Sequence, residues 1–177
     1  MSQDQDLERR RAAYRRAGYA VARYTQGRPL HRVNLEGPGP SGELGAARHP
    51  VDLGGGARHD LEMEILAQWA GLQSEARACF EDRQPPGGWG SALDPLADLG
   101  RPVTRSDEEN EAYLEWLRCR AAGLLDLPGI WPAVDALAGR LLQTGRIGEK
   151  EAAGLIAGAR PPRQRPRGLA GFFHDVR

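Results

Sequence analysis

The sequence predicts a mainly α-helical fold with a minor short β-hairpin or strand, on three observations. Apolar residues recur at three- and four-residue spacing through most of the chain, and clusters of glycine and proline cut those stretches into helix-length pieces. Ser106 followed by Glu109 reads as a capping box at a helix start. From about Leu7 to Tyr24, the residues Tyr14, Ala17, Val21 and Tyr24 share one helical face, arginines occupy the other, and Gly27 and Pro29 stop the helix. Leu30 to Leu35 alternates, with His31, Val33 and Leu35 on one side, and is expected to be a short strand. Residues 37 to 56 hold seven glycines and three prolines and read as a loop, with a second edge strand expected near Val51, Asp52 and Leu53.

A second helix is expected to be capped by Asp60, with Glu62 and Glu64 near its positive end. Its core stripe runs through Leu61, Ile65, Trp69, Leu72, Ala76 and Cys79 or Phe80. Pro85, Pro86, Gly87 and Gly88 end it, and the stretch up to Pro102 is expected to be irregular. Behind the Ser106 cap, Tyr113, Trp116, Leu117, Ala121 and Leu124 fall at helical spacing. The next helix places Pro132 in its first turn, Val134, Leu137, Ala138 and Leu141 in its stripe, and Gly145 at its C-cap. A last helix runs from Glu149 to about Ala157 and is closed by Pro161 and Pro162. The expected division is a folded part over residues 1–159 and an arginine- and proline-rich tail over residues 160–177, extended in isolation.

Composition excludes several functions. Over 177 residues, 24 basic side chains balance 24 acidic ones, so the strong positive field of a dedicated nucleic-acid binder is missing. No apolar run approaches the roughly 18 residues that cross a bilayer, and Met1 to Asp4 lacks a signal-peptide pattern, so a cytoplasmic chain with no membrane partner is expected. Cys79 and Cys119 have no metal-ligand spacing and read as buried thiols in a reducing compartment. Lys150 is the single lysine among the basic residues, a bias expected of a GC-rich bacterial genome.

One stretch carries a family resemblance. Residues 8 to 24, ERRRAAYRRAGYAVARY, followed by Gly27, Arg28, Pro29, Leu30, His31, Arg32 and Val33, resemble the peptidase domain of FtsH-type ATP-dependent zinc metalloproteases. In that family the segment reads A-Y-H-E-A-G-H-A-V and leads into a G-x-P-V-x-x-V strand. Residues 65 to 76 are similar to its L-A-G-x-x-A-E helix, Ser106 and Asp107 stand where it has an acidic third zinc ligand, and residues 131 to 156 resemble its C-terminal helix pair. The resemblance spans most of residues 8 to 157 and implies a zinc-metallopeptidase-like helical domain. The family's phosphate-binding G-x-x-x-x-G-K-[ST] loop and its membrane anchor are missing from this sequence.

An H-E-x-x-H helix works because imidazoles at i and i+4 offer lone pairs to zinc while the glutamate between them activates water. Arg15, Arg16 and Tyr19 stand at the positions matching the first histidine, the glutamate and the second histidine. A guanidinium has no lone pair to give, a phenol of pKa about 10 is a poor ligand, and Arg16 has nothing with which to accept a proton. The resemblance therefore implies a degenerate former site of Arg15, Arg16, Tyr19, Glu75 and Asp107, with an Arg15–Asp107 ion pair shared with Glu75 in place of the metal. No cofactor, metal or catalytic residue is expected. The expected function is an inactive, pseudopeptidase-type binding or regulatory module for a protein or peptide, which either holds an extended peptide in the former substrate groove or pairs with an active zinc-peptidase relative as its non-catalytic partner.

Two rivals belong to other classes. A hydrolase with a rearranged site would use His31, His49 or His59 with Glu62, Glu64 or Asp107, His59 and Glu62 being at i and i+3. A nucleic-acid binder would use Arg9 to Arg16 and Arg160 to Arg167 on phosphates. Read without the resemblance, Arg15, Arg16 and Tyr19 form a solvated helix face and Asp107 is a dipole-favoured first-turn acid. His174 has no spaced partner, Trp69, Trp116 and Trp131 are expected in the core, and Trp89 is a loop anchor or contact residue.

Overall fold

Helical periodicity carries through most of the chain in the computed structural model, which describes residues 3–37 and 55–159. In chain order the elements are α1 (Gln3–Thr25), β1 (Val33–Asn34), α2 (Gly55–Cys79), α3 (Asp94–Gly100), α4 (Asp107–Leu125), α5 (Ile130–Thr144), β2 (Arg146–Ile147) and α6 (Glu149–Ala159). The mainly helical class with a minor two-stranded sheet is the one the sequence predicts. The edge strand expected at Val51 to Leu53 and the tail over residues 160–177 lie outside the described residues.

Helices α1 and α2 make the broadest contact in the fold, and α5 and α4 pack on α1 and α2 respectively. Their apolar faces, with that of α6, meet in one cluster that includes Val21, Ile65, Leu117, Val134, Leu137 and Ile156. The α1 face is small and close-fitting, with Ala13, Ala17, Gly18, Ala20, Val21 and Ala22 buried, while Tyr14 and Tyr24 lie at its half-buried margins. Small residues let two backbones approach, so the crossing is set by size rather than by a large aliphatic stripe.

The Ser106 cap forms as the sequence implies. Its side chain accepts a hydrogen bond from the Glu109 N–H at 3.1 Å, and the Glu109 carboxylate accepts from the Arg105 N–H at 2.7 Å. Gly129 and Gly145, with φ of 82° and 72°, make the left-handed turns before and after α5. The β1 strand pairs antiparallel with β2 in the register Val33–Ile147 and Asn34–Arg146. It thereby ties the segment leaving α1 to the turn between α5 and α6.

Three expectations change. The second helix begins at Gly55, ahead of the expected cap Asp60, so Glu62 and Glu64 lie inside it and not in its first turn. Asp60 instead takes a hydrogen bond from Arg28. The stretch after Gly88 is not irregular, since α3 forms there with a short 3-10 turn on either side. It is held by buried Leu96 and by buried Asn110 of α4, whose side-chain amide donates to Ala97 O at 3.0 Å. The strand expected over Leu30 to Leu35 shortens to two residues.

Candidate functional site

The antiparallel α1–α2 crossing brings together most of the predicted site. It is set by two glycines. A Cβ on Gly18 would fall 2.6 Å from Ala70 O, and one on Gly71 would fall 2.7 Å from Arg15 O, so each helix gives up a side chain to admit the other's backbone. With the backbones this close, the α1 residues Arg11, Arg15, Tyr19 and Arg23, spaced by four, form one ridge lying along α2.

Two carboxylates of α2 answer that ridge. Glu75, 6% exposed, accepts from Arg11 Nε at 2.8 Å and faces Arg15 Nη1 at 3.8 Å. Arg11 also pairs with Glu8 at 2.6 Å, and its guanidinium lies over the Phe80 ring. Glu64, 5% exposed, accepts from the Tyr19 hydroxyl at 2.8 Å, from Arg23 Nη1 at 3.2 Å and from the Gln68 amide at 3.2 Å. Arg23 also donates to the Tyr19 oxygen at 2.9 Å. Burying a carboxylate costs several kcal/mol unless charge and hydrogen bonds replace its water, and both carboxylates are so compensated.

Burial, followed by the negative charge of Glu64, pushes the Tyr19 phenol well above its ordinary range. The phenol stays protonated and serves as a donor to the carboxylate. The hydrogen bonding of Glu75 likewise raises the Arg11 guanidinium further, fixing its positive charge. In this arrangement guanidinium groups and a protonated phenol stand where the resemblance would require lone pairs, and both nearby carboxylates already serve cations. The turn offers a divalent ion no free ligand set and offers water no free base.

Of the five predicted site residues, Arg15, Tyr19 and Glu75 meet at this crossing. Arg16 turns to the other side of α1 and donates to Gly37 O at 2.7 Å. Asp107 is exposed in the first turn of α4, and among the described residues no Arg15–Asp107 ion pair forms. The ion pair falls to Glu75 because the close α1–α2 approach puts that carboxylate within reach, whereas Asp107 sits at the solvated start of another helix. Arg23 and Gln68 are participants that sequence reasoning missed, and Glu64 and Arg11 entered it only in the rival hydrolase and nucleic-acid readings. The four-residue spacing of Arg11, Arg15, Tyr19 and Arg23, opposite Glu64 and Glu75 eleven positions apart, is the signal that could have found them.

The rival residues are scattered. His31 and His59 are exposed, His49 and His174 lie outside the described residues, and Glu62 pairs with Arg120. Among the described residues no three His, Cys, Asp or Glu side chains are grouped to hold a metal ion. Cys119 is exposed and not a buried thiol, and Cys79 is half-buried, its thiol pushed up by desolvation. Trp69 is buried as expected and meets Trp89 edge-on at 5.5 Å, which makes Trp89 a loop anchor. Trp131 is half-buried between the Tyr14 ring at 6.1 Å and the Arg77 guanidinium at 4.1 Å. Trp116 does not enter the core, being 48% exposed beneath Arg120.

Among the described residues no helix is long and apolar enough to cross a membrane. No protein-family model matches the chain, and no curated protein matches it either.

Proposed function

We propose that this chain is an inactive, FtsH-type peptidase-like module that binds a protein or peptide and acts as the non-catalytic partner of a zinc-peptidase relative. One observation carries the reading. At the spacing an H-E-x-x-H helix would use, Arg15 and Tyr19 turn inward onto the buried carboxylates Glu75 and Glu64, so ion pairs and a charge-assisted hydrogen bond occupy the turn that would grip a metal. The reading places the module in the cytoplasm, where an exposed thiol such as Cys119 stays reduced.

The nucleic-acid rival loses ground on the same geometry. Arg11 and Arg15 serve Glu75, Arg9 donates to Leu142 O at 2.9 Å and Arg16 to Gly37 O, so the α1 arginines are largely committed inside the protein.

The test is metal content and hydrolysis together. Protein purified without chelator and dialysed against micromolar zinc is expected to retain far less than one zinc per chain and to leave an unfolded protein substrate intact. Stoichiometric zinc, with proteolysis abolished by Tyr19→Phe or Arg15→Ala, overturns the reading.

A further inference from the structure

The outer face of α4 and of the turn behind it stays open. Ala112, Trp116, Cys119, Gly123 and Leu127 follow one another at three- and four-residue steps on that face, and all five are exposed. Trp116 and Leu127 are two of the three large apolar side chains that are exposed among the described residues. Beside the line lies a groove of about 490 Å³, walled by Met63 and Leu66 of α2 and by Gly123, Leu124 and Leu127. Trp116 stands seven residues ahead of Gly123, about 10 Å along the helix. Its ring stacks on Tyr113 at 6.0 Å and lies under the Arg120 guanidinium at 4.7 Å, which holds the indole outside the groove of its own chain.

We propose that two copies of this chain pair through α4, antiparallel about a twofold axis between residues 119 and 120, so that Trp116 of each copy enters the groove of the other at Gly123. Knob and socket lie on one face of one helix, so a single twofold axis fills both grooves at once. Reversing the exposed line about that axis brings Trp116 onto Gly123 and Ala112 onto Leu127, a large residue against a small one each time. An unrelated partner would cover the groove but would leave this internal match without a reason. Gly123 gains one too. Its φ is not positive, a Cβ there would meet nothing within 4 Å in its own chain, and glycine inside a helix costs about 1 kcal/mol against alanine. The close approach of a second copy's indole accounts for the missing side chain. Arg120 falls beside the axis and brings its own counter-ion, because it is paired with Glu62 of its own chain, so the contact buries no lone cation.

This pairing goes beyond the peptidase-like reading and does not depend on it. Its test is sedimentation equilibrium of the full chain at rising concentration, where the natural chain is expected to approach twice its own mass. Trp116→Ala removes the knob from an exposed position, and Gly123→Leu fills the socket without a clash in its own chain. Each is expected to weaken pairing at least about tenfold, with helix content unchanged by circular dichroism. Mixed one to one, the two variants are expected to pair again. One intact knob then meets one intact socket, and at the other contact the new alanine faces the new leucine.

Cys119, exposed beside the axis, gives a second readout. With Cys79→Ser in place, a short bis-maleimide is expected to join two chains through Cys119, and to fail once Trp116→Ala is added. A natural chain that sediments as one copy throughout overturns the proposal, as does pairing that either variant leaves unchanged. Pairing lost in both variants and not restored by mixing them overturns it as well, since Trp116 and Gly123 would then belong to no common contact.

Discussion

Tyr19 links the α1–α2 contact to pH. Its phenol is held protonated by burial and by the Glu64 carboxylate, whereas in the unfolded chain it titrates near pH 10. A folded-state pKa above the unfolded value means stability that is complete below pH 10 and is lost as pH rises beyond it, since only the unfolded state then releases the proton. Tyr14 and Tyr113 shift in the same direction through burial, so Tyr19→Phe is expected to reduce the alkaline loss of stability without abolishing it. Denaturant unfolding at pH 8 and pH 11 reads the difference. At neutral pH the same substitution removes one hydrogen bond to a buried carboxylate and is expected to cost about 2 kcal/mol. The positions of Arg15 and Tyr19 could be read from the sequence by motif spacing, and Glu75 was legible as a sharer of the Arg15 ion pair, but Glu64 as the partner of Tyr19 was not. Motif order put Asp107 first, while the choice of Glu75 alone was decided by how closely two helices approach, which is a tertiary quantity.

That approach belongs to the scale of elements and depends on what is left out at Gly18 and Gly71. Gly18→Ala forces a methyl against the Ser74 side chain and Ala70 O, and an overpacked contact of this kind is expected to cost about 2–3 kcal/mol. Gly123→Ala places the same methyl in open space within α4 and is expected to stabilise the fold by roughly 0.5–1 kcal/mol, because alanine is the better helix former. Opposite signs for one chemical change, read by thermal unfolding, would show that the crossing and not helix propensity makes Gly18 necessary. Ser106→Ala removes the side-chain acceptor at the start of α4 and is expected to cost about 1 kcal/mol. The α4 start was legible because capping is written in four consecutive residues. The seven-residue α3 was not, because so short a helix persists only through Leu96 and Asn110, contacts that no local pattern carries. β2 was missed for the same reason, since two residues are too few to show alternation.

At the scale of the whole molecule, the chain is a set of six α-helices among the described residues, stitched by one two-residue ribbon, around an aliphatic core. The helical class followed from periodicity that runs through nearly every element, which is why it was the most legible feature. The arginines of α1 were the least legible. Arg11, Arg15 and Arg23 read as a solvated face, yet each lies partly buried against an acid of α2, so the net charge of zero is built into the interior as well as spread over the surface. On the proposed function, the turn from residue 15 to residue 19 retains the placement of a metal-gripping helix and has exchanged its ligands for cationic and phenolic groups. The direct measurement is zinc binding to the triple variant Arg15→His, Arg16→Glu, Tyr19→His, with circular dichroism confirming that it folds. The account predicts one zinc per chain, lost again when Glu75→Gln is added. A folded triple variant that takes up no more zinc than the natural chain would contradict it.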